Sequence, residues 1–174
     1  MGIRRVVTGH TKDGKAIVVS DTEVDAVVPG GMIHMLWGAD ETLTFPDDGS
    51  PRSYSTFFPH VEGFRFCMMT LPPVSNTPQT DSNSAEGIRE FEKKFPDFFQ
   101  YMKEDKPGMH QTDTIDFEYV ISGEVWLELD DGNEVHLKAG DTVVQNGTIH
   151  AWRNRGSEPC QIIGCLIGAN RKEE

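Results

Sequence analysis

The sequence predicts a mainly β fold, a small barrel or sandwich of short strands with one short helical insertion. From residue 110 onward, apolar-rich segments follow one another at close spacing, separated by turns rich in Gly and Asp. That is the pattern of small all-β architectures. Only the stretch between residues 84 and 102 carries apolar residues at helical intervals. At 174 residues the chain suits one domain with a sizeable core.

The elements follow in order. Residues 4–8 and 16–20 are strand-like and flank Lys12-Asp13-Gly14-Lys15, which predicts a hairpin. Residues 32–37 form a short apolar run after Pro29-Gly30-Gly31, and residues 47–51 (Asp-Asp-Gly-Ser-Pro) are a loop. Residues 63–71 are an apolar strand stopped by Pro72-Pro73, and residues 75–84 are polar and read as an exposed loop. Ser84 is placed to cap a helix with Glu86 in its first turn. Ile88, Phe91, Phe95, Phe98, Phe99 and Met102 then form one apolar stripe, expected to pack on the domain; Pro96 breaks or kinks it. Further strands are expected at 116–122, 124–129, 134–137, 142–145, 150–154 and 161–167.

The composition narrows the function. Sixteen Lys and Arg against 28 Asp and Glu give a formal net charge of -12. Nucleic acid and anionic membrane surfaces both need basic patches, so neither is expected as a partner. No apolar run is long enough to span a bilayer, and no signal-peptide core follows Arg4 and Arg5. Cys67, Cys160 and Cys165 are odd in number, form no CxxC and sit in apolar contexts. They read as buried free thiols of a reducing compartment, and the expected location is the cytoplasm.

The residues that carry chemistry lie between 110 and 154. His110, Asp116 and Gly123 form one group; Gly140, Asn146, Gly147, His150 and Asn154 form a second. Two imidazoles and a carboxylate are a set that holds a divalent metal with positions left open. Strand alternation puts His110, Thr112, Asp116 and Glu118 on one face, and His150 with Trp152 on one face of a later strand.

On these residues the chain resembles the cupin superfamily. The first cupin motif is roughly G-x5-H-x-H-x3-4-E-x6-G, which His110, Asp116 and Gly123 match. The second is roughly G-x5-P-x-G-x2-H-x3-N, which Gly140, Gly147, His150 and Asn154 match. The resemblance implies a cupin-type jelly roll, the double-stranded β-helix, with its barrel core at about residues 105–168 of a single 1–174 domain. Four departures stand out. Thr112 occupies the place of a second His, and Asp116 replaces Glu. Asn146 replaces Pro in a second motif one residue short, and no glycine stands six residues before His110. Thr112 removes one of four usual ligands, so the match implies a metal site of His110, Asp116 and His150.

Glu118 is the residue no metal motif requires. An inward carboxylate beside a metal would be a general acid or base. Thr112, Trp152, Phe66 and Met68 are the expected pocket lining, with Tyr119 as a further candidate and Arg65 as a possible carboxylate clamp. The expected function is a metal-dependent lyase, dehydratase, decarboxylase or isomerase acting on a small organic molecule. The divalent ion would be Zn, Fe, Mn or Ni. An Fe(II) oxygenase and a non-catalytic binding cupin are the alternatives, and a homodimer formed through the N-terminal strands is the expected assembly.

Overall fold

The structure is a computed structural model, and it describes residues 2–27, 31–54, 56–74 and 85–172. The polar loop at 75–84, the Ser84 cap and Pro29-Gly30 lie outside the described residues. The chain is mainly β. Its strands are β1 (Ile3–His10), β2 (Ala16–Val24), β3 (Ile33–Ala39), β4 (Phe64–Leu71), β5 (Thr114–Ser122), β6 (Glu124–Glu128), β7 (Glu134–Lys138), β8 (Thr142–Gln145), β9 (Ala151–Arg153) and β10 (Cys160–Gly168). Helix α1 (Ala85–Lys94) and a 3-10 turn at Phe98–Tyr101 stand between β4 and β5. The helical stretch is therefore two pieces, divided around Pro96, which cannot donate to an α-helical ladder.

Three antiparallel sheets result. The largest has the order β3-β4-β10-β5-β8, the second β7-β6-β9, and among the described residues β1 pairs only with β2. Alternation along β5 buries Thr114, Asp116, Glu118 and Val120 and leaves Phe117, Tyr119 and Ile121 outside. On β10 the buried set is Cys160, Ile162, Gly164 and Leu166. On β4 it includes Arg65 and Cys67, with Phe66 outside.

Two apolar clusters fill the interior. One gathers Val120, Val125, Leu127, Leu137, Cys160 and Ile162 between the two larger sheets. The other gathers Met35, Phe57, Phe58, Cys67, Phe95 and Leu166, with Phe91, Phe98 and Tyr101 against it. The helical stripe thus packs on the barrel as expected, although Ile88 and Phe99 remain exposed. Gly164 sits between Ile162 of one cluster and Leu166 of the other, and its register partner on β5 is Glu118. The carboxyl of Glu118 therefore lies where the clusters meet.

Tight turns follow the glycines. Gly123 has a φ of +75°, a left-handed conformation, and a Cβ there would meet the Pro159 carbonyl oxygen at 2.6 Å. Only glycine fits at this corner. Among the described residues, no helix is long and apolar enough to cross a membrane.

Candidate functional site

The site is built on β5, on the segment before it, and on the turn joining β8 to β9. His110 and His150 exchange both backbone hydrogen bonds, N to O at 2.9 and 3.0 Å. This isolated bridge brings their rings to a centroid separation of 4.2 Å. Each Nδ1 lies beside a carbonyl oxygen, Gly108 at 3.1 Å and Thr148 at 3.0 Å. A carbonyl only accepts, so both rings carry the proton on Nδ1, and both Nε2 atoms are left as acceptors. Burial lowers the His110 pKa; burial and the neighbouring His110 lower that of His150 to about 4. Both rings are neutral at pH 7.

Facing the interior from β5 is a row of hydroxyls and carboxyls. Thr112 and Thr114 are buried and share a hydrogen bond of 2.8 Å. Asp116 is 5% exposed and Glu118 is 7% exposed. Burial raises the Asp116 carboxyl to about 6, with the Thr114 hydroxyl opposing the shift. Burial, reinforced by Asp116, raises Glu118 to about 8. Room for Glu118 comes from the neighbouring strand: a Cβ on Gly164 would stand 3.3 Å from Glu118 Cγ.

The structure places the sequence-derived residues unevenly. Glu118, Asp116 and Thr112 all face inward as parity requires. His150 and Trp152 lie ring to ring at 6.0 Å, and Trp152 packs on the inner cluster. Phe66 and Met68 do not line this site. They alternate with the buried Arg65 and Cys67, so Phe66 is 39% exposed on the outer face of the sheet. Tyr119 is exposed on the same outer face. Arg65 is buried but engaged: its guanidinium donates to Asp40, Thr56 and the Ala39 and Phe64 carbonyls and stacks over Tyr54. It is a tie between strand and loop and cannot clamp a substrate.

The expected three-ligand metal centre is not assembled. Among the described residues, no three His, Cys, Asp or Glu side chains converge where they could hold a metal ion. The imidazoles alone have the right preparation, since a ligating His characteristically donates its other N–H to a carbonyl. Asp116 stands further along β5 from His110, beside Thr114, and does not complete a site with them. Two of the three residues fit a metal and the third does not.

Sequence reasoning missed Thr114, Gly164 and the inward role of Gln145. Thr114 and Gln145 share the parity of the buried face of their strands. Gly164 had no signal apart from being a glycine inside a strand.

Residues 98–165 match the family model of the cupin domain. This stretch of the chain belongs to the cupin superfamily. The cupin match covers the site, from the 3-10 turn through most of β10. Two fungal relatives overlap the chain in part. The phomopsin biosynthesis cluster protein C' of Diaporthe leptostromiformis is 41% identical over 36% of this chain and 42% of its own length. The oryzines biosynthesis cluster protein J of Aspergillus oryzae is 49% identical over 28% of this chain and 27% of its own. The matched stretch is thus less than half of either relative. Among solved structures, a cupin of the double-stranded β-helix fold from Methanocaldococcus jannaschii is 14% identical. It aligns over 63% of this chain and 73% of its own, with a TM-score of 0.40.

Proposed function

We propose that this cupin barrel is an acid–base active site for a small organic molecule, with Glu118 as the group that moves the proton. One observation carries the reading: two neighbouring inward carboxyls whose environments hold them apart, Asp116 at about 6 and Glu118 at about 8. At pH 7 Asp116 is mostly a carboxylate and Glu118 mostly an acid. A pair separated in this way divides the roles of base and acid. The neutral Nε2 atoms of His110 and His150 supply acceptors that orient a substrate hydroxyl or water. Lyase, dehydratase, decarboxylase and isomerase steps all need a proton placed and removed in this manner. The fungal relatives are named for biosynthesis clusters, so a small biosynthetic intermediate is the substrate class this reading favours.

The test follows proton exchange. Small hydroxy and keto compounds are incubated with the protein in D2O, and loss of substrate proton signals is read by NMR. Active substrates should show a bell-shaped pH dependence with limbs near 6 and 8. Glu118→Gln should reduce turnover by about 10² to 10⁴. Full turnover in that variant would sink the reading.

A second reading rests on the freed Nε2 pair, where His110 and His150 would hold a divalent ion such as Zn, Fe, Mn or Ni. Such an ion polarises a bound oxygen. Elemental analysis of the purified protein decides this: stoichiometric metal whose removal abolishes turnover replaces the metal-free reading. Oxygen uptake that requires added Fe(II) would make the protein an oxygenase. Binding without turnover under every condition would make it a non-catalytic binding cupin. We propose a homodimer as the assembly, with neither nucleic acid nor a membrane as a partner.

A further inference from the structure

Asp116 and Gln145 are register partners across β5 and β8, and both face the interior. Asp116 is 5% exposed and Gln145 is 3% exposed. Asp116 Oδ1 and Gln145 Nε2 are each buried without a hydrogen-bond partner. Side chains directly opposite on an antiparallel pair have Cβ atoms about 5 Å apart. An acceptor and a donor therefore stand side by side inside the barrel and do not satisfy each other. Buried polar atoms are nearly always paired, so such a couple asks for a third party.

The Gln145 amide is held in place. Its Oε1 accepts a hydrogen bond from the Thr148 hydroxyl at 2.5 Å. The carbonyl of the same threonine receives the Nδ1 proton of His150. One residue of the turn thus sets both the amide and the imidazole. Turning the amide over would change which end Thr148 engages and would still leave the other end unmet, because one hydroxyl cannot reach both.

We propose that Gln145 and Asp116 form a two-point recognition site for one polar group of the substrate, an alcohol or a primary amide. Gln145 donates to the oxygen of that group, and Asp116 accepts its O–H or N–H hydrogen. A ketone or ether satisfies only Gln145; an ammonium satisfies only Asp116. Gln145 is then a specificity-determining residue and takes no proton itself. The inference names the substrate class of the site proposed above and rests on that site's being where substrate binds.

The test needs no turnover. Three probes of similar size are added to ¹⁵N-labelled protein: 2-methylpropan-1-ol, 2-methylpropanamide and 3-methylbutan-2-one. The side-chain amide of Gln145 is identified by its loss in Gln145→Leu. The alcohol or the amide, or both, should shift that resonance and bind roughly tenfold or more tighter than the ketone, the effect of leaving one buried partner unmet. Their relative rank tells which group the site prefers. Gln145→Leu should lose the preference; if it does not fold, Gln145→Glu, which keeps the shape and removes the donor, should lose it too. An unmoved Gln145 resonance, or a ketone binding as well as the others, overturns the proposal. So does a slowly exchanging water on Gln145 that no probe displaces. Glu118→Gln should keep the ranking while losing proton exchange. Ranking without chemistry therefore sinks only the acid–base reading, and chemistry without ranking sinks only this one.

Discussion

Glu118 is a carboxyl that the fold keeps protonated at a cost, and the cost is measurable. Its pKa rises from 4.5 in the unfolded chain to about 8 in the barrel, so the folded state binds the proton more tightly. The stability that Glu118 contributes is fully present below pH 4.5. It is lost as pH rises from 4.5 through 8, where the unfolded chain has already ionised. The loss is on the order of 4 kcal/mol. Asp116 adds a smaller decline between 3.8 and about 6 in the same direction. With a chelator present, the urea midpoint of the natural protein should fall between pH 5.5 and 8.5. In Glu118→Gln, which has nothing to ionise, the fall should be much smaller. Equal slopes in the two proteins would show that Glu118 is not the buried acid described here.

At the level of elements, the helical insertion depends on a few aromatic side chains. Phe95 is 6% exposed and meets Phe57 edge to face at a ring separation of 5.4 Å, with Phe91 at 5.5 Å. The Phe95 amide also closes the last turn onto the Phe91 carbonyl at 2.8 Å. Phe95→Ala should cost about 3 to 5 kcal/mol. A change below 1 kcal/mol in denaturant unfolding would mean that the insertion folds independently of the barrel. The strands from β5 to β10 were legible because alternation and glycine turns dictate them locally, and their bounds fall within two residues of the reading. The inward row of Thr112, Asp116 and Glu118 was legible for the same reason. Phe66 and Met68 were misplaced because one apolar strand does not say which of its faces is the interior; Cys67 and Arg65 hold that side. Among the described residues the three expected ligands do not group as a metal site, which motif spacing alone does not decide. Motif spacing gives the order of His110, Asp116 and His150 along the chain, while the angle each makes across the barrel depends on packing. The pairing of Gln145 with Asp116 is a matter of register, which no single strand contains.

At the scale of the whole molecule, the outer face of the large sheet is apolar and partly exposed among the described residues. The outward positions of β4, β10, β5 and β8 include Phe66, Met68, Ile163, Cys165, Phe117, Tyr119 and Val144, and no charged side chain, in a chain of net charge -12. Phe117, Tyr119 and Val144 are 46%, 45% and 55% exposed. A furrow of about 410 Å³ is lined by Phe66, Phe117, Tyr119, Val144, Ile163 and Cys165, with Glu118 also in its lining. Phe66 and Cys165 also line a cleft of about 600 Å³ against β1, so the two depressions share these residues. The β1–β2 hairpin exposes Val6, Ile17, Val18 and Val19, and a two-stranded ribbon is marginal by itself in water. An arm that exposes apolar side chains and a largely apolar furrow on one chain suit a second copy of that chain, since a two-fold axis covers both at once. Between strongly acidic copies, a face with few charges carries the least repulsion. Sedimentation equilibrium at tens of micromolar should therefore give the mass of two chains. Tyr119→Lys on the face and Val18→Lys on the arm should each shift the mass toward one chain, because each would bury an unpaired charge against the apolar surface of the other copy. Val120→Ala, a change at a side chain 1% exposed and absent from the furrow's lining, should leave the dimer intact. A natural protein that sediments as a single chain at that concentration would overturn the assembly, and the furrow would then need another occupant.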